Sequence, residues 1–397
     1  MNTGNKRPRR LTILGSTGSI GQNTLDVIEQ LGGREEFEIA AVTGNDNIEL
    51  LARQAQACGA RLAVTASENQ YEALKSALAG TGIAAAAGKE ALLEAASMDA
   101  DWVMAAIVGT AGLAPTLAAA ERGADIALAN KECLVSAGEL FVRAVKEGGG
   151  RLIPVDSEHS AIFQALEDDQ FHALERIILT ASGGPFRTWN RDQMANVTAA
   201  VARAHPNWSM GLKISIGSAS MFNKALEMIE AKHLFNVRPE QIEVIIHPQS
   251  VIHSMVGYTD GSVLAQLGCP DMRTAIGYAL NYPTRPMLNV ERLDFAKLAR
   301  LDFEAPDEVR FPALRLARTA LERGGLQGAI MNAAEEVAFQ AFVESRVGFL
   351  DMAAIAEAVM DLMADAGSAT TMSEVFAADA EARRRAGEIV LQKEKAA

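Results

Sequence analysis

Residues 11–21 have the sequence LTILGSTGSIG, an apolar segment followed by the three glycines Gly15, Gly18 and Gly21. Between a strand and a helix, the first glycine permits a tight turn, the second lets a phosphate approach the backbone, and the third lets the helix pack on the sheet. The spacing differs from the dinucleotide-binding G-x-G-x-x-G, and such glycines also occur for purely structural reasons. Their place after the first strand of an alternating series favours nucleotide binding.

Around this loop, the first 155 residues alternate strand and helix patterns. We predict strands at 11–14, 37–42, 61–64, 102–108, 125–129 and 151–155, separated by helices such as 22–31, 48–58 and 132–146. Apolar strands that alternate with helices predict βαβ units and a parallel sheet covered on both faces. The sequence therefore predicts an α/β protein that begins with a Rossmann-like, doubly wound parallel sheet.

The pattern changes after residue 155. Closely spaced strands are predicted at 176–181, 241–247, 251–257 and 263–268, and their short turns favour antiparallel or mixed pairing. Helical spacing from Pro312 onward predicts a C-terminal α-helical bundle. The predicted domains are 1–155 for nucleotide binding, 156–290 for α+β catalysis and 312–397 for the bundle, with a linker at 291–311.

Composition excludes several classes of protein. A chain of 397 residues has room for roughly two to four domains. The net charge of −13 argues against a nucleic-acid-binding surface. Three widely spaced cysteines predict no disulfide framework and a reducing, cytoplasmic location. Residues 102–120 lack charge over a spanning length, but Gly109, Gly112 and Pro115 interrupt them, so we predict buried core rather than a membrane segment.

Three carboxylates suggest a metal site. Asp156 and Glu158 follow a predicted strand, and in an extended segment residues two apart point the same way. Glu227 lies four residues after Asn223 on a predicted helix, next to Lys224. Together the carboxylates would repel one another without a cation, and hard oxygen ligands suit Mg²⁺ or Mn²⁺. On spacing alone, a strand-end Asp and solvated helical Glu residues explain the pattern better.

Two further groups of polar residues end predicted strands. Residues 182–184, Ser-Gly-Gly, together with Ser218, Asn223 and Lys224 offer hydroxyls, amides and one cation, which suit a phosphate monoester. A plain strand–helix turn is the alternative. Residues 130–132, Asn-Lys-Glu, follow a strand of the doubly wound sheet, at the edge where such sheets bind ligands.

Two loops leave their interpretation open. Residues 205–211, HPNWSMG, carry Trp208 and Met210, which are costly to expose, so the loop is either a lid over substrate or locally packed.

At the second strand's end, Asp46 stands two residues beyond the position where NAD proteins usually carry an acid, which weakly favours NADP. His247 and His253 are either ligands or satisfied core histidines.

In this order the motifs resemble those of the 1-deoxy-D-xylulose 5-phosphate reductoisomerase family. The matching segments are GSTGSIG at 15–21, ANKE at 129–132, PVDSEH at 154–159, ASGGPF at 181–186, HPNWSM at 205–210 and MFNK at 221–224. The resemblance implies conversion of 1-deoxy-D-xylulose 5-phosphate to 2-C-methyl-D-erythritol 4-phosphate, in non-mevalonate isoprenoid biosynthesis. It implies NADPH, a divalent metal (Mg²⁺, Mn²⁺ or Co²⁺), a carbon-skeleton rearrangement followed by hydride reduction, and a homodimer.

The resemblance also assigns site residues by position. Metal ligands are Asp156, Glu158 and Glu227. Catalytic groups are Lys131, Glu158 and His205. Substrate-binding residues are Lys131, Ser157, Glu158, Ser182, His205, Ser218, Asn223, Lys224 and Glu227. Cofactor-binding residues are Thr17, Gly18, Ser19, Ile20, Gly44, Asn45, Asp46, Asn130, Glu132 and Gly211. Lid residues are Trp208 and Met210.

Three positions depart from the family's commonest pattern. Asn45 stands where a basic residue often contacts the 2′-phosphate of NADPH, and Gly217 and Leu212 replace a more usual Asp and Arg. We expect altered loop behaviour or affinity rather than altered chemistry. Two other functions remain open from the sequence: an NADP-dependent dehydrogenase acting on another phosphorylated substrate without rearrangement, and a non-catalytic NADP-binding sensor.

Overall fold

A computed structural model describes residues 7–203 and 211–396. Three predicted site residues, His205, Trp208 and Met210, lie outside these ranges. The chain divides into two compact units, each assembled from separate segments. The first comprises Met1–Cys133, Phe141–Ser160 and Asp271–Glu291, and the second comprises Leu134–Leu140, Ala161–Pro270 and Arg292–Ala397.

The first unit is built on a seven-stranded parallel sheet. Its strands are β1 (Arg9–Leu14), β2 (Phe37–Gly44), β3 (Leu62–Thr65), β4 (Ala84–Ala87), β5 (Trp102–Ala105), β6 (Asp125–Leu128) and β7 (Leu152–Pro154). The strand order is β4-β3-β2-β1-β5-β6-β7, and every neighbouring pair is parallel. The connections therefore run outward in opposite directions from β1, which makes the carboxyl end of β1 the topological switch point.

The predicted α/β class is confirmed, and the strands form where the apolar runs lie. Leu11, Ile13 and Leu14 of β1 are fully buried, as expected for a strand covered on both faces. The predicted strand at 102–108 ends at Ala105, three residues early. Strand β4 was missed, because four consecutive alanines carry little of the β-branched or aromatic signal of strands.

Helices lie between the strands and fill the C-terminal region. In chain order they are α1 (Ser19–Gln30), α2 (Ile48–Cys58), α3 (Tyr71–Ala77), α4 (Gly88–Ser97), α5 (Leu113–Glu121), α6 (Glu132–Gly148), α7 (Ser157–Ala165), α8 (Arg191–Ala195), α9 (Ala199–Ala202), α10 (Leu212–Ala219), α11 (Phe222–Phe235), α12 (Met272–Asn281), α13 (Phe295–Leu298), α14 (Ala313–Arg323), α15 (Gln327–Val343), α16 (Asp351–Leu362) and α17 (Met372–Ala396). Nowhere in the described ranges does a helix combine the length and apolarity needed to cross a membrane.

The second unit contains a four-stranded mixed sheet. Its strands are β8 (Leu174–Ala181), β9 (Ile242–Ile246), β10 (Ile252–Tyr258) and β11 (Val263–Leu267), in the order β11-β10-β8-β9. Strand β10 is antiparallel to β8 and β11, whereas β8 and β9 are parallel. The predicted mixed pairing is confirmed. The helices α8 to α11 lie in the long crossover that parallel neighbours require.

The C-terminal helices of the second unit pack around α15. This helix contacts α14, α16 and α17, and its small buried residues, such as Ala329, Ala333 and Ala334, allow close approach. The segment predicted as a linker, 291–311, contains the short helix α13 and an isolated antiparallel bridge between Glu304 and Ile246. The three-domain boundaries drawn from the sequence remain a prediction.

Candidate functional site

The glycine-rich turn connects β1 to α1 at the switch point of the parallel sheet. Gly15 adopts a φ of +87°, and a side chain there would lie 2.5 Å from the Ala106 carbonyl oxygen. A methyl group at Gly21 would overlap the Gly15 carbonyl and the Ser16 backbone. Gly18, by contrast, has room and an ordinary φ of −74° at the N-cap of α1. The first and third glycines thus shape the turn, while the second keeps its outer surface open.

Hydrogen bonds to Thr43 and Gln54 fix the inner side of the turn and leave its outer residues accessible. The Gly15 N–H donates to the Thr43 hydroxyl at 2.9 Å, and the Ser16 N–H donates to the Thr43 carbonyl at 2.7 Å. Buried Ser16 also donates its hydroxyl to Gln54 at 2.9 Å. Thr17 and Ile20 are half-buried, whereas Gly18 and Ser19 are exposed at the first turn of α1. The exposed amides at this helix N-terminus can receive an anion.

The end of β2 lies beside this turn. Gly44 lies close to Thr17, and a methyl group added at Gly44 would lie 3.0 Å from the Thr17 methyl group. Asn45 and Asp46 are exposed, and the Asn45 amide donates to the Asp46 carboxylate at 2.7 Å. The three predicted cofactor residues at this strand end therefore lie next to the glycine turn, with an amide and a carboxylate at the tip.

Asn130 and Glu132 hold a neighbouring loop. The Asn130 side chain, 2% exposed, donates to the carbonyls of Ile107 and Gly109 and accepts from the Cys133 N–H at 3.0 Å. Glu132 accepts from the Gly109 N–H at 3.2 Å. Their side chains therefore shape the 107–109 loop, whose role the sequence analysis missed. Gly109, which directly follows the predicted strand at 102–108, is the sequence feature that could have indicated this loop.

The carboxylates of residues 156–158 do not lie on an extended segment. The predicted extended conformation is wrong, because α7 begins at Ser157 and the Ser160 N–H already donates to the Asp156 carbonyl at 2.8 Å. The Ser157 hydroxyl donates to the Glu158 carboxylate. Lys131 places its Nζ 2.7 Å from Asp156 Oδ2. A cation therefore partners the Asp156 carboxylate within the first unit.

His159 was missed by the sequence analysis. Its side chain is fully buried, and its Nδ1 lies 3.9 Å from Asp156 Oδ2. The two residues are three apart, which places them on one face only if the segment is helical. Assigning residues 156–158 to an extended segment concealed this pairing.

The second unit contains a buried charged cluster on α11. Glu227 is 0% exposed, and Asn223 donates its side-chain amide to Glu227 Oε1 at 2.7 Å. Lys224, 4% exposed, donates its ammonium group to Glu227 Oε2. The predicted helix with Asn223 and Glu227 on one face is confirmed. A buried carboxylate requires such partners, since an unpaired charge would be costly to desolvate.

The serine and glycine turn after β8 lies against the end of α10. Gly184 adopts a φ of +67°, and a side chain there would lie 2.9 Å from the Ser218 carbonyl oxygen. The Ser182 hydroxyl accepts from the Gly184 N–H at 3.1 Å. Gly217 approaches Asn223, because a side chain at Gly217 would lie 3.6 Å from the Asn223 backbone nitrogen. The structure thus brings the four predicted phosphate-binding residues, Ser182, Ser218, Asn223 and Lys224, into one region of the second unit.

His247 and His253, the two histidines whose role the sequence left open, behave as core residues. His247 is fully buried, its Nδ1 lies 2.9 Å from the Asp302 carbonyl, and its ring stacks on Phe303. Burial lowers the pKa of His253 to about 4, although the Cys269 and Gly268 backbone groups oppose this effect. Among the described residues, neither histidine belongs to a group of His, Cys, Asp and Glu side chains close enough to hold a metal ion, which favours core histidines over metal ligands.

Comparison with protein families gives three matches in chain order. A model described as 1-deoxy-D-xylulose 5-phosphate reductoisomerase matches residues 11–138, and a model of the 1-deoxy-D-xylulose 5-phosphate reductoisomerase C-terminal domain matches residues 152–235. A model of the DXP reductoisomerase C-terminal domain matches residues 267–385. Together the three matches cover most of the chain.

Whole-chain comparisons agree with these matches. The 1-deoxy-D-xylulose 5-phosphate reductoisomerases of Rhizobium rhizogenes and Agrobacterium fabrum are 84% and 74% identical to the chain, each over the full length of both proteins. The solved enzyme from Zymomonas mobilis, in complex with NADPH, is 52% identical with a TM-score of 0.91 and covers 97% of this chain and 99% of its own. A DOX-P reductoisomerase in complex with NADPH, fosmidomycin and magnesium is 41% identical with a TM-score of 0.92, covering 96% and 98%.

Proposed function

The chain belongs to the 1-deoxy-D-xylulose 5-phosphate reductoisomerase family, and from this premise we propose that it converts 1-deoxy-D-xylulose 5-phosphate to 2-C-methyl-D-erythritol 4-phosphate with NADPH and a divalent metal ion. The observation that carries the proposal is the buried Glu227 carboxylate between Asn223 and Lys224. The serine and glycine turn lies in the same region of the second unit. This arrangement supplies both a hard metal ligand and a phosphate-binding surface.

The residues of the first unit fit NADPH. The outer surface of the glycine turn is open at Gly18, and the exposed N-terminus of α1 suits a pyrophosphate. When bound, NADPH supplies the hydride for reduction of an aldehyde. Asn45 at the tip of β2 offers an amide rather than a cation to the 2′-phosphate, so affinity for NADPH rests more on the turn and the helix terminus.

The donor set of Asp156, Glu158 and Glu227 fits a hard divalent cation such as Mg²⁺, Mn²⁺ or Co²⁺. Such an ion polarises the ketone of the substrate when it is bound. Lys131 next to Asp156 and Lys224 next to Glu227 offset negative charge within their own units. We propose these three carboxylates as the metal ligands.

The other side chains bind and orient the substrate. Ser182, Ser218, Asn223 and Lys224 hold its phosphate through hydroxyl, amide and ammonium donors. By the family resemblance, Lys131, Ser157, Glu158 and His205 line the reacting part of the substrate, and Lys131, Glu158 and His205 are the groups assigned to proton handling or orientation. Fixing the substrate at both ends holds the migrating carbon–carbon bond in one conformation.

We also propose that the protein acts as a cytoplasmic homodimer. The homodimer rests on the family resemblance, and the cytoplasmic location rests on the cysteine usage of the chain. We further propose, from the sequence patterns and the family resemblance, that residues 1–155 bind NADPH, residues 156–290 bind metal and substrate, and residues 312–397 form the C-terminal helical domain.

The experiment that tests the function is NADPH oxidation with 1-deoxy-D-xylulose 5-phosphate and Mg²⁺, with and without chelation. Glu227→Gln keeps the side-chain volume but removes the charge, so turnover should fall by at least about 100-fold while NADPH binding is retained. Glu243→Gln, at an exposed position on β9 beside Arg176, is the matched control and should turn over like the wild type. Metal-independent turnover after thorough chelation would contradict the three-carboxylate site.

Product analysis separates the remaining functions. A reductoisomerase yields a branched tetrol phosphate, whereas a dehydrogenase acting without rearrangement yields an unbranched product. A sensor would bind NADPH without oxidising it under any of these conditions.

A further inference from the structure

Four charged side chains of the second unit form a chain that ends at the start of α10. Lys213 places its Nζ 2.6 Å from Glu336 Oε1 on α15, and Arg383 on α17 donates to Glu336 Oε2. Arg383 also donates to Asp379 at 2.7 and 3.1 Å, from Nε to Oδ2 and from Nη2 to Oδ1. Each Glu336 oxygen thus has its own cation, and the charges of the four groups sum to zero.

The position of Lys213 is unfavourable for its own helix. It lies in the first turn of α10, where the helix macrodipole disfavours a positive charge, and this turn carries no acidic residue. The side chains of Lys213 and Glu336 are only 22% and 15% exposed, so the pair is more protected from solvent than an ordinary surface ion pair. Burial raises the pKa of Glu336, but Lys213 and Arg383 outweigh this and hold that pKa below its ordinary value.

The helix that Lys213 anchors carries a proposed phosphate ligand at its other end. Ser218 lies five residues further along α10, about 7.5 Å along the axis. The Ser218 carbonyl is in close contact with Gly184, and α10 packs on α11, which bears Asn223 and Lys224. We therefore expect a displacement at the start of α10 to shift Ser218 as well, because Lys213 and Ser218 belong to one continuous helix.

We propose that Lys213 and Glu336 are positioning residues for the phosphate of the substrate, with Arg383 and Asp379 holding Glu336 in place from the C-terminal helix. This inference rests on the proposed function, since it assumes a phosphorylated substrate at Ser218. It gives the C-terminal helices a role in substrate affinity as well as in packing. None of the four side chains needs to touch the substrate.

The test compares Glu336→Gln with Glu357→Gln. Glu357 on α16 forms an ion pair with Arg315 on α14 at 2.7 Å, a similar interhelical contact without a link to α10. Glu336→Gln should raise the KM for 1-deoxy-D-xylulose 5-phosphate and the Ki of inorganic phosphate in parallel, each by roughly tenfold. The KM for NADPH should stay within about twofold of the wild type, and Glu357→Gln should change none of these constants.

Lys213 variants distinguish positioning from general stability. Lys213→Met should reproduce the effect of Glu336→Gln, the double variant should be no worse than either single one, and Lys213→Arg should restore the wild-type KM. Equal constants for Glu336→Gln and Glu357→Gln in an active enzyme, or additive effects in the double variant, would overturn the inference. If the wild type does not oxidise NADPH with this substrate, the proposed function fails and the inference falls with it.

Discussion

At the scale of single residues, the ion pair between Lys224 and Glu227 is more deeply buried than the one between Lys131 and Asp156. Lys224 and Glu227 are nearly inaccessible to solvent, and they lie one helical turn apart on α11. This local pairing was predictable because helical spacing of three and four residues fixes which side chains meet. The ion pair of Lys131 with Asp156 was not predictable, because residues far apart in sequence meet only through the order of the strands.

Replacing Lys224 tests its role in binding the phosphate. Lys224→Met removes the only cation proposed for the phosphate, and a charge-assisted hydrogen bond contributes about 1.5–3 kcal/mol. We expect the KM for the ketose phosphate to rise by about 10- to 100-fold in steady-state assays at saturating NADPH and Mg²⁺. Lys232→Met, on the same helix but outside the cluster, is the control. An unchanged KM for the ketose phosphate would remove Lys224 from the proposed phosphate ligands.

At the scale of elements, the β1–turn–α1 unit assigns different roles to its glycines. Gly21→Ala forces a methyl group into the backbone of Gly15 and Ser16, so it should lower both stability and NADPH affinity. Gly18→Ala has room for its methyl group and a permitted φ, so it should leave the melting temperature within about 2 °C. It should still weaken NADPH binding by covering the open surface. Thermal melts and NADPH titrations of both variants check this, and equal melting temperatures would contradict it.

The elements also show why the sequence predicts some features and conceals others. The helix that begins at Ser157 was hidden because Asp156–Glu158 follow a strand directly, and extended continuation is the simpler expectation. The antiparallel β10–β11 pair was predictable from the short turn between the two strands. The segment between β9 and β10 is also short, but β8 lies between these two strands in the sheet. The parallel β8–β9 pair was not predictable, since helices α8 to α11 lie between the two strands in sequence, and register across such a distance depends on tertiary packing.

At the scale of the whole molecule, neither unit is a continuous stretch of chain. The first unit includes residues 271–291, whose helix α12 packs on α1, and the Trp102 indole donates to the Ala279 carbonyl at 3.2 Å. The second includes residues 134–140 from the middle of α6. The periodicity of apolar residues along the sequence cannot reveal that a segment packs in a different unit from its neighbours in the chain. A segment has the same apolar pattern whichever hydrophobic core it joins. Contacts between segments that are distant in sequence therefore determine which unit a residue stabilises.

The segment 134–140 leads to a prediction for the acid stability of the second unit. A side chain at Gly138 would overlap the His233 ring, and Gly138 has non-helical backbone angles within α6. This close packing desolvates the imidazole, and burial, aided by Lys232, lowers the pKa of His233 to about 4. The folded protein therefore keeps His233 neutral at a pH where the unfolded chain, with a histidine pKa near about 6.5, binds a proton.

The sign of the effect follows from proton linkage. Because the unfolded state binds more protons between about pH 6.5 and pH 4, the free energy of unfolding should fall as the pH falls through this range, by about 2 kcal/mol at pH 5 for this one histidine. His233→Gln should lose that part of the pH dependence, measured as the difference between denaturant unfolding at pH 7.5 and pH 5. Exposed His172→Gln should keep the wild-type difference, because its loss leaves the packing at Gly138 intact. A His233→Gln protein with the full wild-type pH dependence would show that the histidine charges in place, and that Gly138 does not impose the desolvation inferred from its contact.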